Sequence, residues 1–367
     1  MLYWANPSKQ YESKKSKIDK SIASVLKKNK YILGQEVNLL EKEFSKFIGT
    51  SYSIGVANGT DAIEIVLRSL GIGPGDRVLT VSHTALATIA AIESTGAKPV
   101  LVDVESDFYT IDFDKAKQIF DSKIKAIIAV HIYGQSVDIK KLQNFCKRKK
   151  IYLIEDCSQA HGSSFNGKKL GSFGIASCFS CYPTKNLGAI GDAGLITTNN
   201  KSIAQKCTQI RQYGLKNGKS LMKGRNSRLD EIQAAILRIK LKDLNKDNKL
   251  RIKFARYYSE KLKNLPIVLP KVRKNTTHVF HLYVIKTKWR NALLNFMKSN
   301  GVMLGVHYLT PIHLQPAYKK RIAKTDMSVT EDLSNNIVSL PIYPEIKKNE
   351  LDKVIRLLKV FYDKEKL

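Results

Sequence analysis

Gly55-Val56-Ala57-Asn58-Gly59-Thr60-Asp61-Ala62-Ile63-Glu64-Ile65-Val66-Leu67-Arg68-Ser69-Leu70-Gly71-Ile72-Gly73-Pro74-Gly75-Asp76-Arg77-Val78-Leu79-Thr80-Val81 holds, in order, a helix, its stop, a turn and a strand. Ile63, Val66, Leu67 and Leu70 recur at i, i+3, i+4 and i+7, which predicts a helix over Asp61–Leu70. Gly71 stops it, and Gly73-Pro74-Gly75-Asp76 turns the chain into an apolar strand, Val78–Val81. The same alternation continues outward. Pro99–Val104, Lys125–His131 and Ile151–Glu155 read as strands, while Ala85–Thr95, Phe113–Asp121 and Ile139–Lys149 read as helices. Strand–helix–strand alternation predicts an α/β fold with a mostly parallel sheet covered on both faces, and such sheets bind ligands at the carboxyl ends of their strands.

Beyond these, Ala176–Cys181 reads as a buried strand and Leu229–Leu262 as a long helix. The character then changes. Phe280–Ile285 reads as a strand, Trp289–Ser299 as a helix, the stretch near residue 304 as a strand and Lys348–Tyr362 as a closing helix. The expected division is a large α/β domain over 1–245 and a smaller α+β domain over 246–367.

Composition excludes several classes. The 367 residues are 43% hydrophobic and 26% charged, with 21 Gly and 10 Pro, so the chain is neither collagen-like nor wholly disordered. No segment approaches the ~20 apolar residues of a membrane span. The opening Met1-Leu2-Tyr3-Trp4-Ala5-Asn6-Pro7 lacks a basic region followed by an apolar one. The expectation is a soluble cytoplasmic protein with no membrane partner. Lys+Arg is 62 against 32 Asp+Glu, a net +30. Such an excess suits nucleic acid, but the cations are mostly Lys, interrupted by acids and apolar residues, whereas base and phosphate recognition leans on Arg forks. Solvated faces are the preferred reading, with no nucleic-acid partner, and the excess would still attract an anionic small substrate. Cys146, Cys157, Cys178, Cys181 and Cys207 are odd in number, which favours reduced thiols. Cys178 and Cys181 form a C-x-x-C, but on a strand positions i and i+3 face opposite ways, so buried small hydrophobes are expected and no metal site.

Three features carry chemistry. Leu170–Asn200 holds only two formal charges, Lys185 and Asp192. A lysine kept from water becomes a usable nucleophile, although one that snorkels to the surface does not. Asp156 follows the apolar strand Ile151–Ile154, where ligands of α/β folds sit. Gly59 and Thr60 open the clear helix, whose free N–H groups and Thr hydroxyl suit a phosphate; read singly, Thr60 is a structural cap. Lysine, carboxylate and anion cup together are what pyridoxal phosphate requires for its aldehyde, its pyridine nitrogen and its phosphate.

These residues sit within a longer series: Gly55–Ala62, Gly71–Asp76, Glu155-Asp156-Cys157-Ser158-Gln159-Ala160-His161-Gly162, Tyr182-Pro183-Thr184-Lys185-Asn186-Leu187-Gly188, Gly191–Gly194 and Asn226–Ala235. In this order the chain resembles the DegT/DnrJ/EryC1/StrS sugar aminotransferases, of fold type I among the pyridoxal-phosphate enzymes. The resemblance implies Lys185 as Schiff-base lysine and proton shuttle, Asp156 as partner of the ring nitrogen, and Gln159 at the ring oxygen. It implies Gly59, Thr60 and Ser180 at the phosphate, and Asn226 reaching it from the second subunit of a homodimer. His83 stands where the family stacks a residue on the ring, though Ser82-His83-Thr84 departs from the commoner Asn-Thr-aromatic pattern. Tyr182, His307, Tyr308 and His313 are the expected substrate contacts. His161 is placed near the cofactor, and His131, His278 and His281 are read as structural. The implied reaction is ping-pong transfer of an amino group from glutamate to a nucleotide-linked keto sugar, with C3 of a dTDP-linked 3-keto-6-deoxyhexose preferred. Amination at C4 of a dTDP- or UDP-linked sugar, sugar dehydration, and nucleic-acid-binding regulation on the same scaffold are the alternatives.

Overall fold

The computed structural model describes residues 1–319 and 322–364. Its centre is an eight-stranded sheet in the order Ala323–Lys324, Lys98–Val102, Arg77–Val81, Ile124–Val130, Tyr152–Asp156, Ala176–Ser180, Gly194–Thr198, Tyr52–Val56. Pairing is parallel from Ala323–Lys324 through Ala176–Ser180. Only Gly194–Thr198 runs against its neighbours. Both faces are covered, which is why the central strands are apolar throughout: Val78, Leu79, Ile127, Ile128 and Ile154 are all buried. The expected mostly parallel α/β sheet is thus present.

The quoted helix spans Gly59–Ser69, two residues earlier than its periodicity suggests. Asn58, not Thr60, caps it, its Oδ1 accepting from the Asp61 amide at 2.8 Å. The Ile139–Lys149 helix has the bounds expected. Tyr283–Lys286 is strand, but Phe280 is not, because its φ of 45° leaves the extended region and its amide bonds to His278 Nδ1 at 2.9 Å.

The C-terminal part has its own core around Tyr258, Tyr283, Leu293, Met297, Val338 and Leu358, beneath the antiparallel pair Tyr283–Lys286 and Ile337–Leu340. Two connections cross the expected division at 245. The helix Glu231–Leu262 runs through it without a break, and Leu2–Tyr3, from the opening of the chain, pairs with Val302–Met303. The lysine-rich opening, read only as a solvated face, folds into helices at Lys15–Leu26 and Gln35–Ile48. The second starts at Gly34 with no cap of its own. The Glu231 carboxylate, distant in sequence, accepts from the amides of Gly34 at 2.8 Å, Glu36 at 2.8 Å and Val37 at 3.0 Å. All five cysteines are buried and unpaired. The strand ends at Ser180, one residue before the expected Cys181; Cys178 lies in the core on one side of the sheet and Cys181 in the core on the other, so the two sulfurs diverge.

Among the described residues, no helix is long and apolar enough to cross a membrane.

Candidate active site

A cavity of about 410 Å³ opens at the carboxyl ends of Arg77–Val81, Ile124–Val130, Tyr152–Asp156 and Ala176–Ser180. Asn58, Gly59, Thr60, Asp156, Gln159, Ser180, Tyr182, Lys185, His307 and Tyr308 line it. Residues read from four separate stretches of sequence therefore meet in one place, the first three because parallel strands bring their carboxyl ends to one edge.

Lys185 follows the strand Ala176–Ser180 in a turn closed by its own amide donating to Tyr182 O at 2.8 Å. Its Nζ has no protein hydrogen-bond partner among the described residues. Burial lowers its pKa to about 8, against the opposing pull of Asp156 and Cys181. Roughly a tenth of the amine is consequently unprotonated at pH 7, far more than in an ordinary lysine, and a nucleophile or proton carrier needs that free base. Opposite it, the Asp156 carboxylate accepts from the Ser158 amide at 3.1 Å and from Thr88 Oγ1 at 3.2 Å, and Thr88 is itself bonded to Thr84 at 3.0 Å. Two donors leave lone pairs for a third group from the cavity.

The helix Gly59–Ser69 points its N-terminus into the same space. With Asn58 spent on the Asp61 amide, the Gly59 and Thr60 amides have no partner within the helix. A Cβ at Gly59 would lie 2.6 Å from Ser180 Cβ, so only glycine lets this helix end meet the strand end. Gln159 is clamped, its Oε1 accepting from the Tyr133 amide at 2.6 Å and its Nε2 donating to Tyr308 Oη at 2.9 Å. The Tyr308 hydroxyl proton is left to donate elsewhere, and burial with the nearby Asp156 holds its pKa above the usual phenol range. These residues fit pyridoxal phosphate: an unpartnered amine, a held carboxylate, and a glycine cradle with free amides at one end.

Three expectations need amendment, those for His83, His313 and His281. His83 does not line the cavity; its Nε2 is 2.6 Å from Tyr133 Oη, and burial lowers its pKa to about 4, with Asp103 opposing. His313 lies outside as well, buried between Ser82 Oγ at 2.7 Å and Glu331 Oε1 at 2.9 Å. Asn226, expected at the neighbouring subunit's site, is exposed and accepts from Arg228 Nε at 2.8 Å, away from this chain's own cavity lining. His281, read as structural, does line the cavity; His131 also reaches it while keeping the expected structural role, its Nε2 3.2 Å from Glu155 Oε2. Trp4, Ser158, Thr84 and Ala85 join it unanticipated. Trp4 packs on His307 with ring centroids 4.6 Å apart, a contact no local motif announces.

Residues 12–359 match the DegT/DnrJ/EryC1/StrS aminotransferase family. The chain is 43% identical over 339 residues (92% of it, 93% of the relative) to the dTDP-3-amino-3,6-dideoxy-alpha-D-galactopyranose transaminase of Aneurinibacillus thermoaerophilus. It is 39% identical over 97% of each chain to a protein of Geobacillus stearothermophilus named pleiotropic regulatory protein. Among solved structures, S. venezuelae DesV in complex with a ketimine intermediate superposes with a TM-score of 0.95 at 35% identity, covering 98% of both chains. NtdA from Bacillus subtilis with bound cofactor PMP gives 0.88 at 31% identity, covering 95% of this chain and 82% of that one.

Proposed function

The chain belongs to the DegT/DnrJ/EryC1/StrS aminotransferase family and is a pyridoxal-phosphate-dependent sugar aminotransferase; we propose that it carries an amino group from glutamate to C3 of a dTDP-linked 3-keto-6-deoxyhexose. The name of the 43%-identical relative supports the sugar and the carbon. The observation that carries the catalytic reading is the Lys185 amine, half-buried in the cavity with Asp156 and the Gly59–Thr60 cup, its pKa lowered to about 8 by desolvation.

In this reading Gly59, Thr60 and Ser180 bind the phosphate through helix-end amides and hydroxyls. Asp156, fixed by Thr88 and Ser158, holds its negative charge against the ring nitrogen. Lys185 Nζ is the covalent anchor; once released, it takes a proton from the donor's α-carbon and returns it nearby. The cofactor, when bound, supplies the electrophilic carbon and the ring that accepts electrons. Gln159 hydrogen-bonds the ring substituent from its clamped position. Trp4, Tyr182, His307 and Tyr308 close the cavity and contact the sugar, while the +30 charge draws in its diphosphate.

Asn226 serves the neighbouring site of a homodimer, which agrees with its exposure and its distance from this chain's own cavity lining. The enzyme works in the cytosol, where five unpaired buried thiols stay reduced. The regulatory name of one relative fits a binding role on the same scaffold, but the meeting of the Lys185 amine, the Asp156 carboxylate and the Gly59–Thr60 cup in one cavity supports catalysis.

The test is a product analysis. Purified protein with glutamate is offered dTDP- and UDP-linked 3-keto and 4-keto sugars, and products are read by mass spectrometry and NMR. Amination at C3 of the dTDP sugar is expected. Amination only at C4, a dehydrated product, or no product alongside salt-sensitive DNA binding overturns the proposal.

A further inference from the structure

Around Lys185, four buried polar atoms have no partner among the described residues: Nδ1 and Nε2 of His161, Nδ1 of His281 and Oδ1 of Asn186. One such atom costs about 1–3 kcal/mol, so buried polar groups are nearly always satisfied by protein or by ordered water. Four of them around one amine call for an occupant.

Hydrogen bonds through other atoms tie together the segments that carry these residues. Asn248 Nδ2 donates to His161 O at 2.8 Å, and Asn248 Oδ1 accepts from Asn186 Nδ2 at 2.8 Å. Asn186 Nδ2 also donates to Val279 O at 3.2 Å, which ties this residue to the segment that carries His281. His281 lines the cavity together with Lys185 and Asp156, and its own carbonyl accepts from Arg251 Nη1 at 3.4 Å. Both imidazoles are neutral. Burial first, and the Lys185 charge second, lower His161 to about 3 and hold His281 well below the usual range, with Arg251, His307 and His161 adding to the latter. A neutral imidazole offers one donor and one acceptor, and a polar, enclosed space with several partners is where buried water resides.

We propose that His161, His281 and Asn186 enclose ordered water against the Lys185 amine and act as positioning residues, linking both imidazoles to Nζ through that water. The proposal rests on the reading of Lys185 as the working amine. Of the other titratable groups near Lys185, Asp156 and Cys181 favour its charged form directly and need no water to do so, while His307 in the same cavity is lowered to about 4 by burial first and the Lys185 charge second.

The experiment uses full-length protein freed of cofactor. Competitive acetylation across pH, read by peptide mass spectrometry, gives the titration midpoint of Lys185 itself. His161→Phe and His281→Phe remove acceptors that favour the ammonium, so each midpoint moves down and Lys185 reactivity at pH 7 rises roughly threefold or more. His161→Gln and His281→Asn keep an acceptor and bring the midpoint back toward wild type. Unmoved midpoints in both Phe variants overturn the proposal. Should those variants not fold, a high-resolution crystal structure of the wild type decides: water bridging two or more of the four atoms is expected, and a dry site overturns it. A wild-type protein that cannot capture pyridoxal phosphate on Lys185 would instead strike the functional reading, so the two failures are distinguishable.

Discussion

Glu155 and Asp156 are consecutive on one strand, both buried, and face opposite layers of the sheet. Glu155 is saturated. Its carboxylate accepts from the amides of Gly171, Phe173 and Gly174, from Ser177 Oγ, and pairs with His131 Nε2, all between 2.8 and 3.2 Å. Burial would raise its pKa, but His131 and these amides outweigh it and hold the carboxyl below the usual range. Asp156 has two donors and an open cavity. Two lysines differ in the same way. Both are brought to about 8 by desolvation, but Lys240 donates to Gln10 Oε1 at 2.8 Å and Gly188 O at 2.7 Å, whereas Lys185, half-buried in the cavity, has no protein partner among the described residues. Filled hydrogen-bonding capacity marks a group that holds the fold, and spare capacity in a cavity marks one that does chemistry. The buried triad His131, Glu155 and Cys157, close enough to suggest a metal site, belongs to the first kind, since Glu155 is already fully engaged.

The contrast breaks most sharply at Lys185. Lys185→Ala is expected to lower transamination by about 10⁴-fold or more, to abolish borohydride trapping of the cofactor, and to leave the melting temperature nearly unchanged. Unchanged trapping in this variant would remove the lysine from its role. Glu155→Gln should show the opposite profile: about 3–5 kcal/mol less stable by urea unfolding, with activity per folded molecule largely kept. The pH dependence follows from the sign of the shift. A carboxyl held below its ordinary 4.5 stabilises the fold above that value and loses the contribution as pH falls below it, so the variant's unfolding curve should flatten in that acid window.

Asp156→Asn, with its shape kept, should cost about 10²–10³ in kcat. It should also lower the Lys185 midpoint below about 8, because it deletes the charge that favours the ammonium; a midpoint that rises would contradict the pairing. Thr88→Val removes one hydrogen bond to that carboxylate and should cost roughly tenfold in kcat, with little change in KM for glutamate. The smallest effect concerns the surface. kcat/KM for the nucleotide sugar should fall a few-fold as salt screens the +30 charge, while kcat stays level.

Much of the site was legible because the relevant residues announce themselves locally. Lys185 stands in a stretch nearly free of charge, Asp156 ends an apolar strand, and Gly59 opens a periodic helix. His83 and His313 misled because imidazoles serve equally well as buried hydrogen-bond partners, here to Tyr133, Ser82 and Glu331. Trp4 and His281 had no local signal at all, since a residue's place in a cavity depends on what packs against it. The N-terminal helices were hidden by their lysines, whose stems and charges mask an apolar stripe of Val37, Leu40, Phe44 and Ile48.

By itself the sequence determined the alternation of helix and strand, the divergence of Cys178 from Cys181, and the positions of the lysine, carboxylate and glycine cup, because each follows from periodicity or from chemistry within a few residues. Tertiary structure alone decided that Glu231 caps a helix nearly two hundred residues away, that Leu2–Tyr3 pairs with Val302–Met303, and which of two adjacent buried carboxylates kept room for a ligand. Those outcomes depend on which donors arrive from distant segments, and hydrogen-bond saturation is a property of the packed interior that no local pattern encodes.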